Sequence, residues 1–173
     1  MYRPLSIDDL PDVLRNRSDP NFLQFYEETE FGEEEAKLFL HQFLDWEQER
    51  PQRRFAFATL ERGTGRMVGI CSLRREKADA STAEIGFELA PAFWGRGLAT
   101  EMGRALLDLG FRGLNVHRIQ AHCVAENVAS QRVLEKLGMR FEGRLREKHR
   151  FKERYWDELW FGILRPEWET GTE

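Results

Sequence analysis

The spacing of apolar residues changes several times along the chain, and each change marks an element. Met1–Leu5 reads as a short strand. Ser6 then stands where a helix N-cap is expected, with Asp9 three residues on, and Leu10, Val13 and Leu14 give the segment after it an apolar face. Residues 16–29 are mixed and interrupted by Pro20. From Glu33 to Glu49, Ala36, Phe39, Leu40, Phe43 and Leu44 fall at helical spacing. The acids Glu33, Glu34 and Glu35 sit in the first turn of that helix, where its dipole favours them.

Strand character begins at Arg53. RFAFATLE and MVGICSL flank a turn, Gly63-Thr64-Gly65-Arg66, and read as a hairpin. A third strand, Ala83–Ala90, stops at Pro91. After Gly95 and Gly97 a long helix carries Leu98, Met102, Ala105, Leu106 and Leu109 on one side and ends near Gly110 and Gly113. His117–Glu126 alternates as a strand with Ile119, Ala121, Cys123 and Ala125 on one face. Asn127 opens a helix with Val133, Leu134 and Leu137 as its stripe and Gly138 as its C′ residue. Two strands, about 139–148 and 154–164, turn at Lys152-Glu153. The predicted order is β-α-α-β-β-β-α-β-α-β-β. This is an α/β (α+β) chain with a mostly antiparallel sheet of about seven strands, about four helices and one clear crossover helix.

The length of 173 residues fits one domain with a sizeable core. Cys71 and Cys123 stand alone, with no CxxC, HExxH or other ligand spacing, so neither zinc nor a disulfide framework is expected. Both read as buried strand residues. His122 neighbours Cys123 but points to the opposite face. No apolar run approaches ~18 residues, and the N-terminus does not read as a secretory leader; no membrane contact and a cytoplasmic location are expected. Residues 1–50 hold 5 Lys/Arg against 13 Asp/Glu, a balance of −8, whereas the remainder holds 21 against 17, a balance of +4. Glu27, Glu28, Glu30 and Glu33–Glu35 cluster. So do Arg140, Arg144, Arg146, Lys148, Arg150, Lys152 and Arg154. The overall acidic balance argues against nucleic acid as a partner. An acidic surface attracts a cationic substrate.

The most informative segment is Phe93-Trp94-Gly95-Arg96-Gly97-Leu98-Ala99-Thr100. Two glycines between a strand and a long helix turn backbone N–H groups and a helix N-terminus toward one point, which suits phosphate. No G-K-[ST] closes a Walker loop. Thr100 replaces the third glycine of a dinucleotide fingerprint, and the loop lies behind three sheet strands rather than one, so a nucleotide-dependent oxidoreductase is disfavoured.

These residues resemble the acetyl-CoA loop of the GCN5-related N-acetyltransferases (GNAT), whose pattern is [RQ]-x-x-G-x-[GA]. Trp94 takes the first position, Gly97 the fourth and Ala99 the sixth. Trp94 departs from Arg/Gln, as in the RimJ/RimL-like branch that acts on ribosomal-protein N-termini. Asn127-x-x-Ser130-x-x-Val133-Leu134-x-Lys136-Leu137-Gly138-Met139 resembles a second signature of that branch. Glu84-Ile85-Gly86-Phe87 resembles its E-[IL]-G-[YF] strand. Glu142-Gly143-x-Leu145-Arg146 and Trp156-Asp157 resemble its closing hairpin. The resemblance implies a strongly twisted sheet whose fourth and fifth strands splay. Acetyl-CoA, with no metal, would then be held by Phe87, Leu89, Trp94, Gly95, Arg96, Gly97, Leu98, Ala99, Thr100, Asn127 and Ser130. It divides the single domain 1–173 into acceptor-side helices (1–52), a cofactor-binding core (53–138) and a closing hairpin and tail (139–173).

Acyl transfer to an amine needs a neutral nucleophile, donors for an oxyanion, and help for a leaving thiolate. The resemblance makes Glu84, at a strand position where several such acetyltransferases place a glutamate, the first candidate base; Glu88, four residues on along the same strand face, is the second, and either needs burial to raise its pKa. His122 and His149 are further candidates that also read as ordinary sheet-face residues. The resemblance makes Ser130 the partner of the thiolate and Asn127 a ligand of the pantetheine arm. A local reading makes Asn127 the helix cap and Ser130 part of its first turn. Tyr155 is a weaker acid. Backbone N–H groups near Phe87–Leu89 are the expected oxyanion donors. Phe25, Tyr26, Phe31, Trp46 and Trp156 line either an acceptor pocket or the core. The leading expectation is an acetyl-CoA-dependent N-acetyltransferase of a protein α-amino group, as monomer or homodimer. The alternatives are acetylation of a small amine (an amino acid, a polyamine or an antibiotic) and a CoA-binding module without turnover.

Overall fold

The computed structural model describes residues 1–171; the last two residues of the predicted tail lie outside the described residues. Seven strands form one sheet in the order β1-β2-β3-β4-β5-β7-β6. They are β1 (Tyr2–Pro4), β2 (Arg54–Leu60), β3 (Met67–Arg74), β4 (Thr82–Leu89), β5 (Arg118–Val124), β6 (Arg140–Phe151) and β7 (Arg154–Leu164). Every neighbouring pair is antiparallel except β4 and β5. The helices are α1 (Leu10–Arg17), α2 (Pro20–Leu23), α3 (Glu33–Gln48), α4 (Leu98–Asp108), α5 (Val128–Lys136) and α6 (Arg165–Thr170).

Apolar residues alternate along the strands, so each face of the sheet buries its own cluster. On one face Leu73, Ile85, Ile119 and Phe161 pack under Met102, Leu106 and Phe111 of α4 and its extension, and under Leu134 of α5. On the other, Ala58, Met67 and Ile70 pack under Val13, Phe22, Ala36 and Leu40 of α1–α3. The second cluster takes its strand residues from β2 and β3. Beyond it, β4 and β5 present Glu84, Glu88 and His122.

The β4–β5 pairing positions the site. The two strands are in register only at Thr82–Arg118, Ala83–Ile119 and Glu84–Gln120. Beyond Glu84 they separate, whereas β4 stays paired with β3 as far as Leu89. The splay therefore falls between the fourth and fifth strands, as the resemblance implies.

Several expectations needed revision. Six α-helices replace about four among the described residues. Asp19 caps α2 through Asn21 N (2.8 Å), with Pro20 at the first helical position, so the stretch read as interrupted is a helix start. Ser6 and Asp9 make the predicted reciprocal cap, on a single 3₁₀ turn before α1. The predicted end of α4 widens into a π-turn over Leu109–Gly113. Strand β6 runs to Phe151, with irregular register at Phe141/Gly143 and Leu145/His149. Lys152 and Glu153, at φ 51° and 59°, make the tight turn into β7 as expected. No helix among the described residues is long and apolar enough to cross a membrane.

Candidate active site

Gly95 and Gly97 have φ of 73° and 78°, a region in which side chains are strained, and a Cβ on either would meet no neighbouring atom within 4 Å. The loop is therefore an open cradle at the start of α4. The first helical hydrogen bond runs from Glu101 N to Gly97 O (3.1 Å), which leaves the amides of Leu98, Ala99 and Thr100 at the free helix end. Such a cradle fits a pyrophosphate. Arg96 is half exposed, rests on Phe93 at 5.2 Å and lies 3.5 Å from Glu61, a contact too loose to tie it down. Trp94 works differently from a phosphate ligand: its indole N–H donates to Leu89 O (2.6 Å), closing the end of β4.

Along β4, Ala90 N bonds Val68 O (2.8 Å). Antiparallel alternation then turns the N–H groups of Phe87 and Leu89 away from β3, toward the gap. That is where oxyanion donors were expected. Across the gap, Asn127 Oδ1 accepts from Ser130 N (3.1 Å), so Asn127 caps α5. Ser130 lines a cavity of about 270 Å³ together with Tyr26, Phe43, Glu84, Glu88 and His122. Cys123 on β5 is buried, and burial pushes its thiol up to about 11. Cys71, free and buried like Cys123, is also pushed up to about 11 by burial. Both cysteines are structural residues, as read from the sequence.

The structure brings Glu84 and Glu88 to one cavity but gives them opposite environments. Burial works against the Glu84 charge, yet hydrogen bonds from His122 and Arg74 outweigh it and hold its pKa down at about 2. That is the reverse of the rise a carboxylate base requires. Glu88 is raised by burial, although Arg17 Nη1 bonds its Oε2 at 2.5 Å. Arg17 is itself buried, 4% exposed, inside a ring of aromatic side chains: Phe39 at 3.9 Å, Phe31 at 4.8 Å, Tyr26 at 5.1 Å and Phe22 at 5.2 Å. Sequence reasoning missed Arg17, whose partner lies 71 residues away.

A second polar group, also missed, is Glu158. It is 3% exposed, is hydrogen-bonded with Trp160 Nε1 and His149 Nε2, each at 2.7 Å, and lies 3.0 Å from His122 Nδ1. Burial raises its pKa, and His149 with His122 bring it back below the ordinary carboxylate range. Of the aromatic residues proposed for the acceptor, Tyr26 lines the cavity, and Phe25 packs edge-on to Trp156 (6.2 Å) between α2 and the hairpin. Lys152 Nζ ties the same two elements by donating to Leu23 O (2.6 Å). Phe31 packs against Arg17. Trp46 is buried under Arg54 at 4.9 Å, among the residues of α3. Tyr155 is exposed and lies under Arg150, 5.8 Å from its ring, outside the residues that line the cavity. No cluster of three or more His, Cys, Asp or Glu residues suited to a metal occurs among the described residues.

The acetyltransferase (GNAT) domain family model matches residues 1–140. The chain is 32% identical to the uncharacterized N-acetyltransferase YnaD of Bacillus subtilis over 168 residues, 97% of this chain and 95% of that one. It is 28% identical to the spermidine N(1)-acetyltransferase of Vibrio cholerae over 122 residues, covering 70% of this chain and 69% of that one. Among solved structures, a GNAT-family acetyltransferase from Bacillus anthracis superposes with a TM-score of 0.81 at 29% identity, covering 95% of this chain and 94% of that one. A Vibrio cholerae spermidine N-acetyltransferase in complex with CoA and spermine superposes with a TM-score of 0.81 at 23% identity, covering 98% and 97%.

Proposed function

The chain belongs to the acetyltransferase (GNAT) domain family and is an acetyl-CoA-dependent N-acetyltransferase, and from that premise we propose that its acceptor is a small primary amine carried as a cation. The observation that carries this reading is the cavity itself. It holds about 270 Å³ and is bounded by Tyr26 and Phe43 from the helical side, with Glu84 and Glu88 on its floor. The size suits a small molecule, and carboxylates beside aromatic rings suit an ammonium.

In this reading the thioester lies in the β4–β5 gap, with its pyrophosphate on Gly95–Thr100 and its carbonyl oxygen toward the Phe87 and Leu89 amides. Ser130 hydrogen-bonds the departing sulfur. Glu84, ionised and fixed by Arg74, orients the ammonium. A protein α-amino group, the first expectation from the RimJ/RimL-like resemblance, ranks second, because a cavity of about 270 Å³ holds a small amine whole but only the start of a peptide. The family relationship favours turnover over a binding module that has lost it.

A mass-spectrometric screen separates the readings. Acetyl-CoA is incubated with spermidine, spermine, amino-acid amides and serine- or alanine-first peptides. We expect acetylation of at least one small amine with kcat/KM about tenfold or more above any peptide. Preferred acetylation of a peptide N-terminus would overturn the small-amine reading. Gly97→Glu, which puts a side chain and a negative charge into the cradle, is expected to abolish acetyl-CoA binding in calorimetry. Retained affinity would move the pyrophosphate elsewhere.

A further inference from the structure

His122 is held by carboxylates at both ring nitrogens. From β5 its Nε2 lies 3.2 Å from Glu84 Oε1 on β4, and its Nδ1 lies 3.0 Å from Glu158 Oε2 on β7. His149 reaches the same Glu158 oxygen from β6 at 2.7 Å. Arg74, from β3, completes the charged surroundings by pairing with the same Glu84 oxygen. The Arg17–Glu88 pair lies further along the same face of β4. The Trp160 ring packs against the imidazole with centroids 5.0 Å apart. Glu158 is buried, whereas the His122 side chain is 33% exposed and lines the cavity.

An ionised carboxylate only accepts hydrogen bonds. Both contacts of His122 are hydrogen bonds only when both ring nitrogens carry hydrogen. A neutral ring satisfies one carboxylate and turns a lone pair toward the other. The protonated ring is thus the one form that presents a hydrogen to each carboxylate. Glu84 is poorly placed to keep one, because Arg74 and His122 both favour its ionised form.

We propose that His122 is the proton acceptor of acetyl transfer and that Glu158, with His149 behind it, is its positioning residue. This rests on the acetyltransferase reading above and extends it to the proton. Neutral His122 donates Nδ1–H to Glu158, which turns the Nε2 lone pair to the Glu84 side of the cavity, where the acceptor ammonium docks. His122 takes one proton from that ammonium. The freed amine attacks the thioester carbon; the C–N bond forms and the C–S bond breaks. The second proton of the nitrogen passes to the leaving sulfur, and His122 releases its own to solvent. One proton leaves per acetyl group moved.

The test compares wild type, His122→Gln and Glu158→Gln with acetyl-CoA and two probes, spermidine and a serine-first hexapeptide, from mildly acidic to alkaline pH. His122→Gln is expected to be about 100-fold slower at neutral pH with unchanged acetyl-CoA affinity. Its rate should climb about tenfold per pH unit, since only the spontaneously neutral amine then reacts. Glu158→Gln should fall between the two. A loss of the same size at every pH would make the ring a structural residue and overturn the proposal. Nuclear magnetic resonance of the 15N-labelled protein decides independently of the acceptor. An exchange-protected Nδ1–H signal from His122 is expected in wild type and should vanish in Glu158→Gln; its absence from wild type overturns the proposal. If neither probe is acetylated while acetyl-CoA binds, the acceptor reading fails, and the resonance experiment still decides the role of His122. If Glu158→Gln melts too low to use, the pH profile of His122→Gln and the wild-type resonance decide on their own.

Discussion

Glu84 is held ionised by two groups that reach it from neighbouring strands, Arg74 on β3 and His122 on β5. Its carboxyl titrates near 2 in the folded chain, against about 4.3 for an unperturbed glutamate. A depressed folded value means that folding favours the ionised form. The resulting stability is present at neutral pH and is lost as pH falls from about 5 toward 2. Replacing Glu84 by Gln should remove that contribution, so melting temperature should depend less steeply on pH across the same window. An unchanged acid limb in thermal unfolding would show that these ion pairs contribute nothing to it. Arg17 and Glu88 make a different case, because the pair sits among aromatic rings. Removing one partner strands a buried charge, and Arg17→Met should cost about 3 kcal/mol in chemical denaturation. The double change Arg17→Met with Glu88→Leu should recover most of that loss, since a buried pair replaced by apolar groups is often nearly neutral. Additive losses would mean that the aromatic cage, not the charge pairing, requires the arginine.

At the scale of elements, the start of α5 divides two roles that the sequence leaves merged. Asn127 caps the helix with its side chain, and the atom it holds on Ser130 is the backbone N–H. The Ser130 hydroxyl is not part of that cap, and Ser130 lines the cavity. Asn127→Ala should therefore destabilise by about 1 kcal/mol, the usual cost of a lost cap. Ser130→Ala should leave unfolding nearly unchanged and slow turnover. An unaltered rate in Ser130→Ala, measured by thiol release, would remove the hydroxyl from the reaction. Strands and long helices were legible because their signals are local: period 2 in β2–β5, period 3.6 in α3 and α4, and glycines where the chain enters and leaves α4. The short helices carried signals too, Asp19-Pro20 for α2 and Pro166-Glu167 for α6, where Glu167 Oε2 receives Leu164 N at 2.9 Å. Their runs are too short for a periodic stripe. The ionic partners of the site were not legible at all. Glu88 and Glu84 stand alike in the sequence, and what distinguishes them is an arginine from α1 in one case and residues of β3 and β5 in the other. Only the fold brings those groups together.

Across the whole molecule, charge is sorted along the chain, with −8 in residues 1–50 and +4 in the rest. The acidic stretch starts beside the cavity. Tyr26 lines the cavity wall, Glu27, Glu28 and Glu30 follow it as exposed residues, and the charge of Glu28 is felt by Glu88. Such a rim raises the local concentration of a cationic amine and leaves the bond-making step untouched. Its size can be bounded. One unit charge acting on another at ~8 Å through water is worth about 0.5 kcal/mol, and at physiological salt screening cuts this to roughly 0.2 kcal/mol. Reversing Glu28 and Glu30 to Lys changes four charge units. The cost to binding is then about 0.8 kcal/mol, or about fourfold in KM for the amine. The same double reversal should leave kcat and the KM for acetyl-CoA unchanged, because the pyrophosphate cradle lies at the start of α4 rather than on this rim. Added salt should raise the amine KM of the native chain and have a weaker effect on the reversed one. Steady-state kinetics at low and high salt measure all four quantities. An amine KM indifferent to both salt and charge reversal would mean that the acidic segment is only a solvated face and that recognition of the cation lies wholly with the carboxylates inside the cavity.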